Sequence, residues 1–567
     1  MNQQQAPIAK KETIEETLNQ GEILTYEEFE LTQEELIAYK ELKSGETLKK
    51  VLCPPIFIEQ RFRNIHNNNV EMSLKFNVDG QYVTEKLPME SLLKLGSVLA
   101  SKGFPISNPN LASVLEYLIK QQSTVPLQEQ YQEVGVIKNS NGELMIALSE
   151  AISKNVTGLV WNKENSVADV SVGGSYDKWL ETIVAEVLGE SQLEFMLAVA
   201  ASAPIVGYYF QTRQDIDSLM LQLVGSSTTG KTTAAQLAIS LFGPPIKGPK
   251  TLFQSFSGTE NAIPRMLGGN YGVPFLLDEL SLATSSDLTK LLYLFAESRE
   301  KARLNEQSQF QERSVWSTTI IMTGEHAILD QTNRNLGLQV RIFEFAIDAW
   351  TKDAAHANKL KKVVKNNYGH AGIEYANYLA EDWSRIDKNV QKWITFFQQK
   401  MPASKEMDRV GEKYAIIMAG LDMLGTAINV PFHLDDVAEF ILQNEERLLA
   451  DRDSAEAFYQ TVVQDVCASV TQFHFNNQMS YSPVVKGLIT SPKTGGYYRV
   501  NYLKSAFSTL VQKQNISNES TLLTELKKKS YFVTESDRTT KRAIVQGEKV
   551  ATYEFLIPVS DLKPWLQ

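Results

Sequence analysis

The chain has 567 residues, and its 43% hydrophobic and 22% charged residues are typical of an ordinary folded protein of roughly three or four domains. The formal net charge of −11 argues against a protein that coats nucleic acid with its whole surface, although a localised basic groove is compatible with it. Cys53 and Cys467 lie far apart and outside any metal-ligand spacing, so we expect no disulfide framework, no zinc site and a reducing, cytoplasmic location.

The first 50 residues carry six lysines against eleven glutamates, which predicts an acidic helical or flexible tail with little core. Residues 51–154 then predict a small α+β domain, because short β-type runs precede helical patterns near 88–102 and 109–121. The predicted strands are Ile56–Arg63, Val70–Phe76 and Tyr82–Lys86.

Helices are predicted at 176–189 and 191–203, at the start of a domain that we place at 155–365. The longest uncharged apolar stretch, Phe195 to Phe210, is short for a membrane span and contains Pro204. The sequence therefore predicts a buried helix here, and no membrane partner is expected.

The most specific pattern in the chain is GSSTTGKT at 225–232, which satisfies G-x-x-x-x-G-K-[ST]. An apolar run at Leu219–Val224 predicts a buried strand before it, and 233–242 predicts a helix after it. In such a loop, backbone N–H groups and the helix N-terminus converge on phosphate oxygens. Lys231 is expected at the β- and γ-phosphates and the Thr232 hydroxyl on Mg²⁺. The predicted nucleotide-binding residues are Gly225, Thr228, Thr229, Gly230, Lys231, Thr232 and Thr233.

A second apolar strand, at 272–280, ends in two adjacent carboxylates, 47 positions after Lys231. This is the place of a Walker B element, in which Asp278 orders the Mg²⁺ shell and Glu279 polarises the attacking water. Carboxylates also mark ordinary loop starts, but the phosphate loop upstream favours the catalytic interpretation. ATP and Mg²⁺ are the expected cofactors.

A third strand is predicted at 316–325 and ends in polar groups. In the additional-strand ATPases a polar residue at this strand end senses the γ-phosphate, and Thr323 is the candidate. A capped strand end is the alternative.

Two arginines are candidates for contacts with nucleotide. Arg341 lies in a predicted apolar strand at 338–345, where an unpaired charge is costly, so it should face an anion. That anion is either a neighbouring subunit's γ-phosphate or the carboxylate of a structural salt bridge. Arg409 begins a helix at 410–420, in a helical lid that we place at 366–455; a solvated surface charge is the alternative for it.

A polar, alternating segment at 300–314 predicts a short hairpin. Its basic residues, Lys301, Arg303 and Arg313, are candidates for contacts with DNA phosphates in a ring channel. An exposed hairpin with solvated charges is the alternative, because charge alone does not specify phosphate contact.

Residues 480–567 reverse the charge of the chain, with thirteen lysines and arginines against seven acidic residues. The order of predicted strands and helices is that of a winged helix, which we place at 456–567. Such a helix can enter a major groove while the wing touches the DNA backbone, although many winged helices only join proteins. The candidate wing contacts are Arg538, Lys541, Arg542 and Lys549.

Five motifs in this order carry a family resemblance: GSSTTGKTT at 225–233, FSGTENA at 256–262, FLLDEL at 275–280, MTGE at 322–325 and LGLQVRIFEF at 336–345. They resemble a large bacterial and phage family catalogued as a domain of unknown function. Within it, the chain resembles the Cch-type helicases carried by staphylococcal cassette chromosome elements. That family is similar to the MCM replicative helicases, which are hexameric AAA+ ATPases that unwind DNA.

The resemblance implies an α/β fold with an AAA+ P-loop core, a helical lid, a small α+β N-terminal domain and a C-terminal winged helix. It also implies that Arg341 is an arginine finger acting on a neighbour's nucleotide and that Arg409 is the second sensor. Thr323 departs from the Asn usual at the first sensor, and Glu325 or Thr319 would then share that role.

The implied activity is that of a self-loading, ring-forming helicase that unwinds DNA for the replication of a mobile element, with a single DNA strand in the ring channel and duplex on the winged helix. Other replication proteins are possible partners of such a ring. An ATP-controlled initiator that binds DNA without processive unwinding is the main alternative. A scaffold with a decayed ATP site is disfavoured by Glu279, since a protein that only binds nucleotide can dispense with the water-polarising carboxylate.

Overall fold

A computed structural model describes most of the chain, which folds into two compact units, Met1–Val167 and Ala168–Gln567. The described residues are 13–155, 158–213, 216–256, 262–279, 288–300, 313–331, 336–402, 407–452, 454–476, 482–492, 496–514, 519–533, 539–545 and 547–566.

The first unit combines mostly antiparallel strands with helices, as predicted for an α+β domain, and its parallel pairs are β5 with β8 and β8 with β12. Its strands form a β1-β2-β3-β4 sheet, a β12-β8-β5-β6-β7 sheet and a β9-β10-β11 meander. Its elements are α1 (Ile14–Asn19), β1 (Leu24–Tyr26), β2 (Phe29–Leu31), β3 (Leu36–Glu41), β4 (Thr47–Cys53), β5 (Ile56–Asn64), β6 (Val70–Val78), β7 (Gln81–Pro88), α2 (Leu95–Ser101), α3 (Asn108–Gln121), β8 (Leu127–Tyr131), β9 (Val134–Lys138), β10 (Leu144–Ala147), β11 (Ala151–Ile152) and β12 (Val160–Trp161).

The prediction of a helical tail with little core is wrong for most of the described part of residues 1–50. Only Ile14–Asn19 is helical there, and four strands follow it from Leu24 to Cys53. Leu18, Phe29 and Leu31 are buried in the core of the first unit. The many glutamates concealed this, because short strands place charged residues on their exposed face and bury their few apolar ones.

The second unit begins with helices and a parallel sheet. These elements are α4 (Tyr176–Thr182) continued by a π-helical turn (Ile183–Val187), α5 (Ser191–Thr212), β13 (Leu219–Val224), α6 (Lys231–Ser240), β14 (Phe253–Ser255), α7 (Ala262–Leu267), β15 (Asn270–Tyr271), β16 (Phe275–Asp278), α8 (Leu288–Glu297), β17 (Thr319–Gly324), α9 (Ile328–Gln331), α10 (Leu336–Gln339) and β18 (Ile342–Ala346).

Five helices and then the C-terminal elements complete this unit in the described residues. They are α11 (Ala354–Val364), α12 (His370–Glu381), α13 (Ser384–Lys400), α14 (Met407–Ile428), α15 (Leu434–Arg452), α16 (Ser454–Ala468), β19 (Phe473–Phe475), β20 (Gly487–Thr490), β21 (Tyr497–Leu503), α17 (Lys504–Lys513), α18 (Glu519–Lys528), β22 (Phe532–Val533), β23 (Lys541–Val545), β24 (Glu548–Pro558) and α19 (Val559–Leu562).

The central sheet has the strand order β14-β16-β17-β13-β18, and all neighbouring strands are parallel. Parallel sheets are covered on both faces, which explains why β13, β16 and β17 are buried at every position. The predicted strand–loop–helix order around residues 225–232 is confirmed, because β13 ends at Val224 and α6 begins at Lys231. The carboxyl ends of β13, β16 and β17 meet at one edge of the sheet.

Helix α5 is the apolar segment that the sequence predicts to be buried. It is long and apolar enough to cross a membrane, but 89% of its most apolar window is buried inside the protein. It packs against β17 through a hydrogen bond between Ser202 and Thr319 and against α12 through the Tyr375 hydroxyl, which donates to the Ala201 carbonyl. The prediction of a buried core helix is confirmed.

The C-terminal elements form a sheet with the order β19-β20-β21-β24-β22, and β23 pairs with β24. Helices α16, α17 and α18 cover one face of this sheet, and their shared core contains Val462, Phe507 and Leu526. The long strand β24 and β23 form a hairpin whose register places Ile544 opposite Lys549. Along the chain β21, α17, α18, β22, β23 and β24 follow one another, so a strand, two helices and then further strands stand in the winged-helix order that the sequence predicts.

The close packing of α14 on α5 can be tested directly. A Cβ atom on Gly420 would lie 2.8 Å from the backbone carbon of Ala201, whereas one on Gly411 would meet only ordinary contacts at 3.6 Å or more. We expect Gly420→Ala to lower the free energy of unfolding by about 1–3 kcal/mol, because two backbones must separate. Chemical denaturation measures this.

Gly411→Ala is the matched control, since it lies on the same helix. It should leave the free energy of unfolding unchanged or raise it by about 0.5–1 kcal/mol, as alanine favours helix. Equal effects of the two substitutions would contradict the close approach of α14 and α5.

Candidate nucleotide-binding site

The loop between β13 and α6 has the backbone that a phosphate-binding loop needs. Gly230 adopts φ of 87° and caps the start of α6. A Cβ atom there would lie 2.5 Å from the Thr351 hydroxyl, so glycine is required on both conformational and steric grounds. The first N–H groups of α6 have no partner within the helix and point toward this loop, which makes an anion site.

Lys231 is folded back onto its own loop. Its Nζ donates to the carbonyl oxygens of Gly225 and Ser226, at 2.7 Å each. Burial lowers the pKa of Lys231, and the carboxylates of Glu325 and Asp278 partly oppose this. The ammonium therefore lies in a negative environment at the place where the phosphate groups of a nucleotide would offer it better acceptors.

Asp278 forms the centre of a hydrogen-bonded cluster at the edge of the sheet. Its buried carboxylate accepts on Oδ1 from the hydroxyls of Thr232, at 3.0 Å, and Thr323, at 2.7 Å. Its Oδ2 lies 2.8 Å from the Nζ of Lys247. Carboxylate and hydroxyl oxygens are the hard ligands that Mg²⁺ prefers, so Thr232 and Asp278 fit the metal predicted from the sequence.

Glu279 leaves the strand in a left-handed conformation, with φ of 65°, which is uncommon for a residue other than glycine. Its N–H donates to the Thr323 hydroxyl at 3.0 Å. Thr323 therefore connects the two carboxylate residues: it accepts from the backbone of Glu279 and donates to Asp278. Such strained backbone is held by its surroundings and is frequent at functional sites.

These groups line one cavity of about 490 Å³, a size that suits a small-molecule site. The phosphate loop, both carboxylates, Thr323 and Glu325 contribute to it. Glu325 also accepts a hydrogen bond from the Ser227 hydroxyl. Thr319, by contrast, lies at the start of β17, is buried and is bonded to Ser202, away from the cavity.

Helix α11 forms a wall of the cavity that we did not predict from the sequence. The lining residues recur at helical spacing, so they share one face of the helix. Two of them are small and two are polar, which leaves room for a ligand and offers hydrogen bonds to it. This face consists of Ala354, Ala357, Asn358 and Lys361. Their spacing in the sequence indicates that they share one face of a helix. Nothing in the sequence indicates that this face of α11 meets the phosphate loop.

Arg341 lies in a turn directly before β18, not inside a strand as predicted. The physical reason is that the short helix α10 ends at Gln339 and the strand begins only at Ile342. The Arg341 Nε lies 3.3 Å from Asp217 Oδ2, and its Nη1 donates to the Gly337 carbonyl at 2.9 Å. The salt bridge that the sequence left open as an alternative is therefore present.

The register of the sheet separates Arg341 from its own phosphate loop. Met220 pairs with Ile342, so Arg341 lies at the amino edge of the sheet, whereas the loop after Val224 lies at the carboxyl edge. A six-residue strand at roughly 3.3 Å per residue separates these edges by about 20 Å. Arg341 thus cannot reach the nucleotide of its own chain in this structure.

Arg409 and Arg341 both lie close enough to the buried Lys413 to influence its charge. Arg409 is exposed in the first turn of α14, and the cavity-lining residues of the described chain do not include it. One turn later Lys413 is buried, and this burial lowers its pKa to about 8, while Asp217 opposes the shift and Arg341 and Arg409 add to it. The two predicted arginines thus share one basic region at the opposite edge from the phosphate loop.

The candidate DNA-binding residues are described only in part. Lys301, Arg303 and Arg538 lie outside the described residues. The base of the predicted hairpin is described, because Arg299 and Val315 form an antiparallel bridge and the Glu300 N–H donates to the Ser314 carbonyl at 2.9 Å. Arg313, next to this base, is exposed.

In the C-terminal hairpin the candidate residues lie on different faces. Lys541 is 2.9 Å from the buried carboxylate of Glu554, which also pairs with Arg499 at 2.7 Å. Arg542 and Lys549 are exposed, as is Ile544 at 68%. The outward face therefore combines Arg542, Ile544 and Lys549, while Lys541 balances a buried charge.

Two family models match the chain. Residues 29–315, half of the chain, match the model described as "Domain of unknown function (DUF927)". The chain belongs to this family. Residues 453–560 of this family member match a second model, "Cch helix turn helix domain", so its C-terminal part is of the helix-turn-helix type.

A solved structure described as "SCCmec type IV Cch - active helicase" has a similar fold. The TM-score is 0.79 at 22% sequence identity, and the match covers 96% of this chain and 100% of that chain. No curated protein matches the chain. The family resemblance inferred from the five motifs is thus confirmed, and at this identity the structural likeness establishes the fold.

The bridging role of Thr323 gives a test of the site. Thr323→Val keeps the shape of the side chain but removes the acceptor of the Glu279 N–H and a donor to Asp278. We expect the free energy of unfolding to fall by about 1–3 kcal/mol, because a buried carboxylate loses a partner. Denaturant titration measures this. Thr323→Ser keeps the hydroxyl, so its free energy of unfolding should fall by clearly less. A valine variant as stable as wild type would contradict the bridge.

Proposed function

We propose that this protein is an ATP-driven DNA helicase of the AAA+ class that assembles as a ring. The family resemblance implies that this ring is a hexamer. The observation that carries the proposal is the Thr232, Asp278, Thr323 and Glu279 cluster beside a phosphate loop. This set contains a metal ligand pair, a water-polarising carboxylate and a polar residue between them, which hydrolysis requires and simple nucleotide binding does not.

The strand order supports the AAA+ assignment. Strand β17 lies between β13, which precedes the phosphate loop, and β16, which carries Asp278. This inserted strand is the feature after which the additional-strand ATPases are named. We propose an ATPase core that runs from the start of the second unit, Ala168, to 365, followed by a lid at 366–455 and a winged helix at 456–567. The N-terminal domain extends beyond 51–154, because the strands from Leu24 onward share its core.

The residues of this chain would divide the chemistry of hydrolysis among them. When bound, MgATP supplies the scissile phosphoryl group and the metal charge that Thr232 and Asp278 would hold. Lys231 would exchange the carbonyls of Gly225 and Ser226 for phosphate oxygens. Glu279, which lines the cavity, would orient the attacking water and accept its proton. Thr323 would keep Glu279 in register with Asp278.

The position of Arg341 supports action between subunits. An arginine at the amino edge of the sheet serves another chain's nucleotide if subunits pack head to tail, as they do in a ring. Such a finger is worth about 10³–10⁵ in turnover, because it stabilises charge in the transition state. Arg409, in the same basic region, would act with it as the second sensor.

The C-terminal helix-turn-helix match and the basic outward face of the hairpin support duplex binding. Arg542 and Lys549 would contact phosphates while a helix of the domain enters the major groove. The hairpin predicted from the sequence at 300–314 would contact a single strand in the ring channel; of this segment the Arg299–Val315 bridge and the exposed Arg313 are described. The similar solved structure carries the words "active helicase", which agrees with the proposed unwinding activity.

Strand displacement on a forked DNA duplex with ATP and Mg²⁺ tests the proposal. We expect the wild type to unwind the fork and both Lys231→Ala and Glu279→Gln to lose unwinding. Lys231→Ala should lose nucleotide binding, whereas Glu279→Gln should keep it and lower hydrolysis by about 10²–10⁴-fold, because a general base is removed. Glu297→Gln, an exposed carboxylate on α8, is the matched control and should behave as wild type.

ATP hydrolysis without strand displacement by the wild type would favour the alternative, a DNA-binding initiator or switch. Absence of ATP hydrolysis in assembled wild-type protein would overturn the enzyme assignment itself.

Mixing variants tests the action of Arg341 in trans. Arg341→Ala alone should lower ATP turnover by about 10³-fold or more while nucleotide affinity is retained. Mixing it with Lys231→Ala should restore turnover, because mixed rings contain interfaces with both intact residues. Steady-state hydrolysis over a range of mixing ratios measures this.

Asp217→Asn separates this role from the salt bridge, since it removes the ion pair but keeps Arg341. It should retain most of the turnover. If mixing restores nothing, the action of Arg341 on a neighbour's nucleotide is wrong. If Asp217→Asn is as inactive as Arg341→Ala, loss of the ion pair explains the effect of both substitutions.

A further inference from the structure

We propose that Lys247 is the counter-cation of Asp278 in the nucleotide-free protein and competes with the divalent metal for this carboxylate. The inference rests on the proposed function, because it concerns the metal side of the same site. Its consequence is that the metal binds well only together with a nucleotide, whose phosphates supply further ligands.

The first support is that the two oxygens of the Asp278 carboxylate have different kinds of partner. Oδ1 accepts from two hydroxyls, those of Thr232 and Thr323, and Oδ2 is 2.8 Å from the Lys247 ammonium. Hydroxyl groups carry no charge, so they orient the carboxylate without neutralising it. The Asp278 side chain is only 8% exposed, and a carboxylate so buried needs a cation or a metal close to it. Within the described chain, Lys247 is the cation in direct contact.

The second support is that the backbone holds Lys247 at this place. Lys247 forms a parallel bridge with Phe253 at the start of β14, and its Nζ lies 5.1 Å from the Phe253 ring centroid. Strand β14 then pairs with β16 so that Ser255 is opposite Asp278. The lysine is thereby directed along the strand toward the carboxylate, and the aromatic ring supports its charge.

The third support is that the ammonium and a metal cannot share the carboxylate without cost. Mg²⁺ requires ligand oxygens at about 2.0–2.1 Å in octahedral geometry, and a lysine within hydrogen-bonding distance of the same oxygens repels it. The Lys247 side chain is 46% exposed, so it has room to withdraw into solvent when the metal arrives. A free metal ion must therefore displace Lys247, while a metal bound to a triphosphate brings compensating contacts.

The arrangement gives the Asp278 carboxylate a counter-charge and keeps the Thr232 hydroxyl oriented before any ligand is bound. It also makes the resting site electrostatically complete: Lys231 satisfies the loop carbonyls and Lys247 satisfies the carboxylate. Both lysines change partner when a metal nucleotide is bound, and only Lys231 belongs to a motif that the sequence identifies.

Metal binding to the full chain without nucleotide tests this inference. Lys247→Met removes the charge but keeps the length of the side chain and its contact with Phe253. The free Mn²⁺ signal in electron paramagnetic resonance measures the dissociation constant, first without nucleotide and then with a non-hydrolysable ATP analogue. We expect Mn²⁺ to bind Lys247→Met about three- to tenfold more tightly than wild type without nucleotide, and the difference to shrink with the analogue.

Lys250→Met is the matched control, because it removes the same charge from an exposed position three residues along the same loop, and it should leave the dissociation constant unchanged. Lys247→Met combined with Asp278→Asn should lose the gain in affinity. Equal Mn²⁺ affinity of Lys247→Met and wild type, or a gain that persists without Asp278, would overturn the inference.

Weaker binding of Mn²⁺ or of the analogue by Lys247→Met would also overturn it, because Lys247 would then be a ligand-binding residue. The titration without nucleotide does not depend on hydrolysis or on DNA. Wild-type protein that fails to bind the ATP analogue would therefore refute the proposed function separately, while the Mn²⁺ comparison still decides the role of Lys247.

Discussion

The buried carboxylate of Asp278 is the constraint on which the candidate site depends. Its partners come from three separate segments: Thr232 from the start of α6, Thr323 from β17 and Lys247 from the loop after α6. A buried charge that lost these partners would be strongly destabilising, so the contacts hold the phosphate loop and two strand ends together. The parallel register of β13, β16 and β17 brings the three segments to one edge, and Glu279 takes its unusual backbone from the same cluster.

The directions of the strands also place the candidate functional residues at two opposite edges of the central sheet. The phosphate loop and the carboxylates occupy the carboxyl edge, whereas Arg341 and its neighbours occupy the amino edge. In the proposed ring, one chain would therefore carry both halves of an intersubunit site but could not join them itself. In the proposed ring, hydrolysis would require contact between neighbours, and the ion pair with Asp217 would hold Arg341 ready between such contacts. The basic outward face of the C-terminal hairpin would connect this cycle to DNA.

The predictions from sequence were most accurate where the signal is local. The strand, loop and helix at 219–240 and the strand ends at Asp278 and Thr323 were predicted, since neighbouring residues decide these elements. The strands between Leu24 and Cys53 were missed because that prediction relied on the charge composition of the segment and not on its residue pattern. The strand around Arg341 was wrong because a short helix interrupts the apolar run before it. The wall formed by α11 and the contact of Lys247 were missed, because no spacing in the sequence relates them to the loop.

The sequence by itself determined the phosphate loop, the adjacent carboxylates and the family, because each depends on a few consecutive residues whose chemistry requires them. Only the tertiary structure decided which side chains meet there. Lys247 reaches Asp278 through a backbone bridge to β14, and Arg341 lies at the far edge because β18 runs parallel to β13. These contacts join residues that are distant in the chain. The register of the strands and the packing of the helices determine them, and the neighbouring residues in the sequence do not.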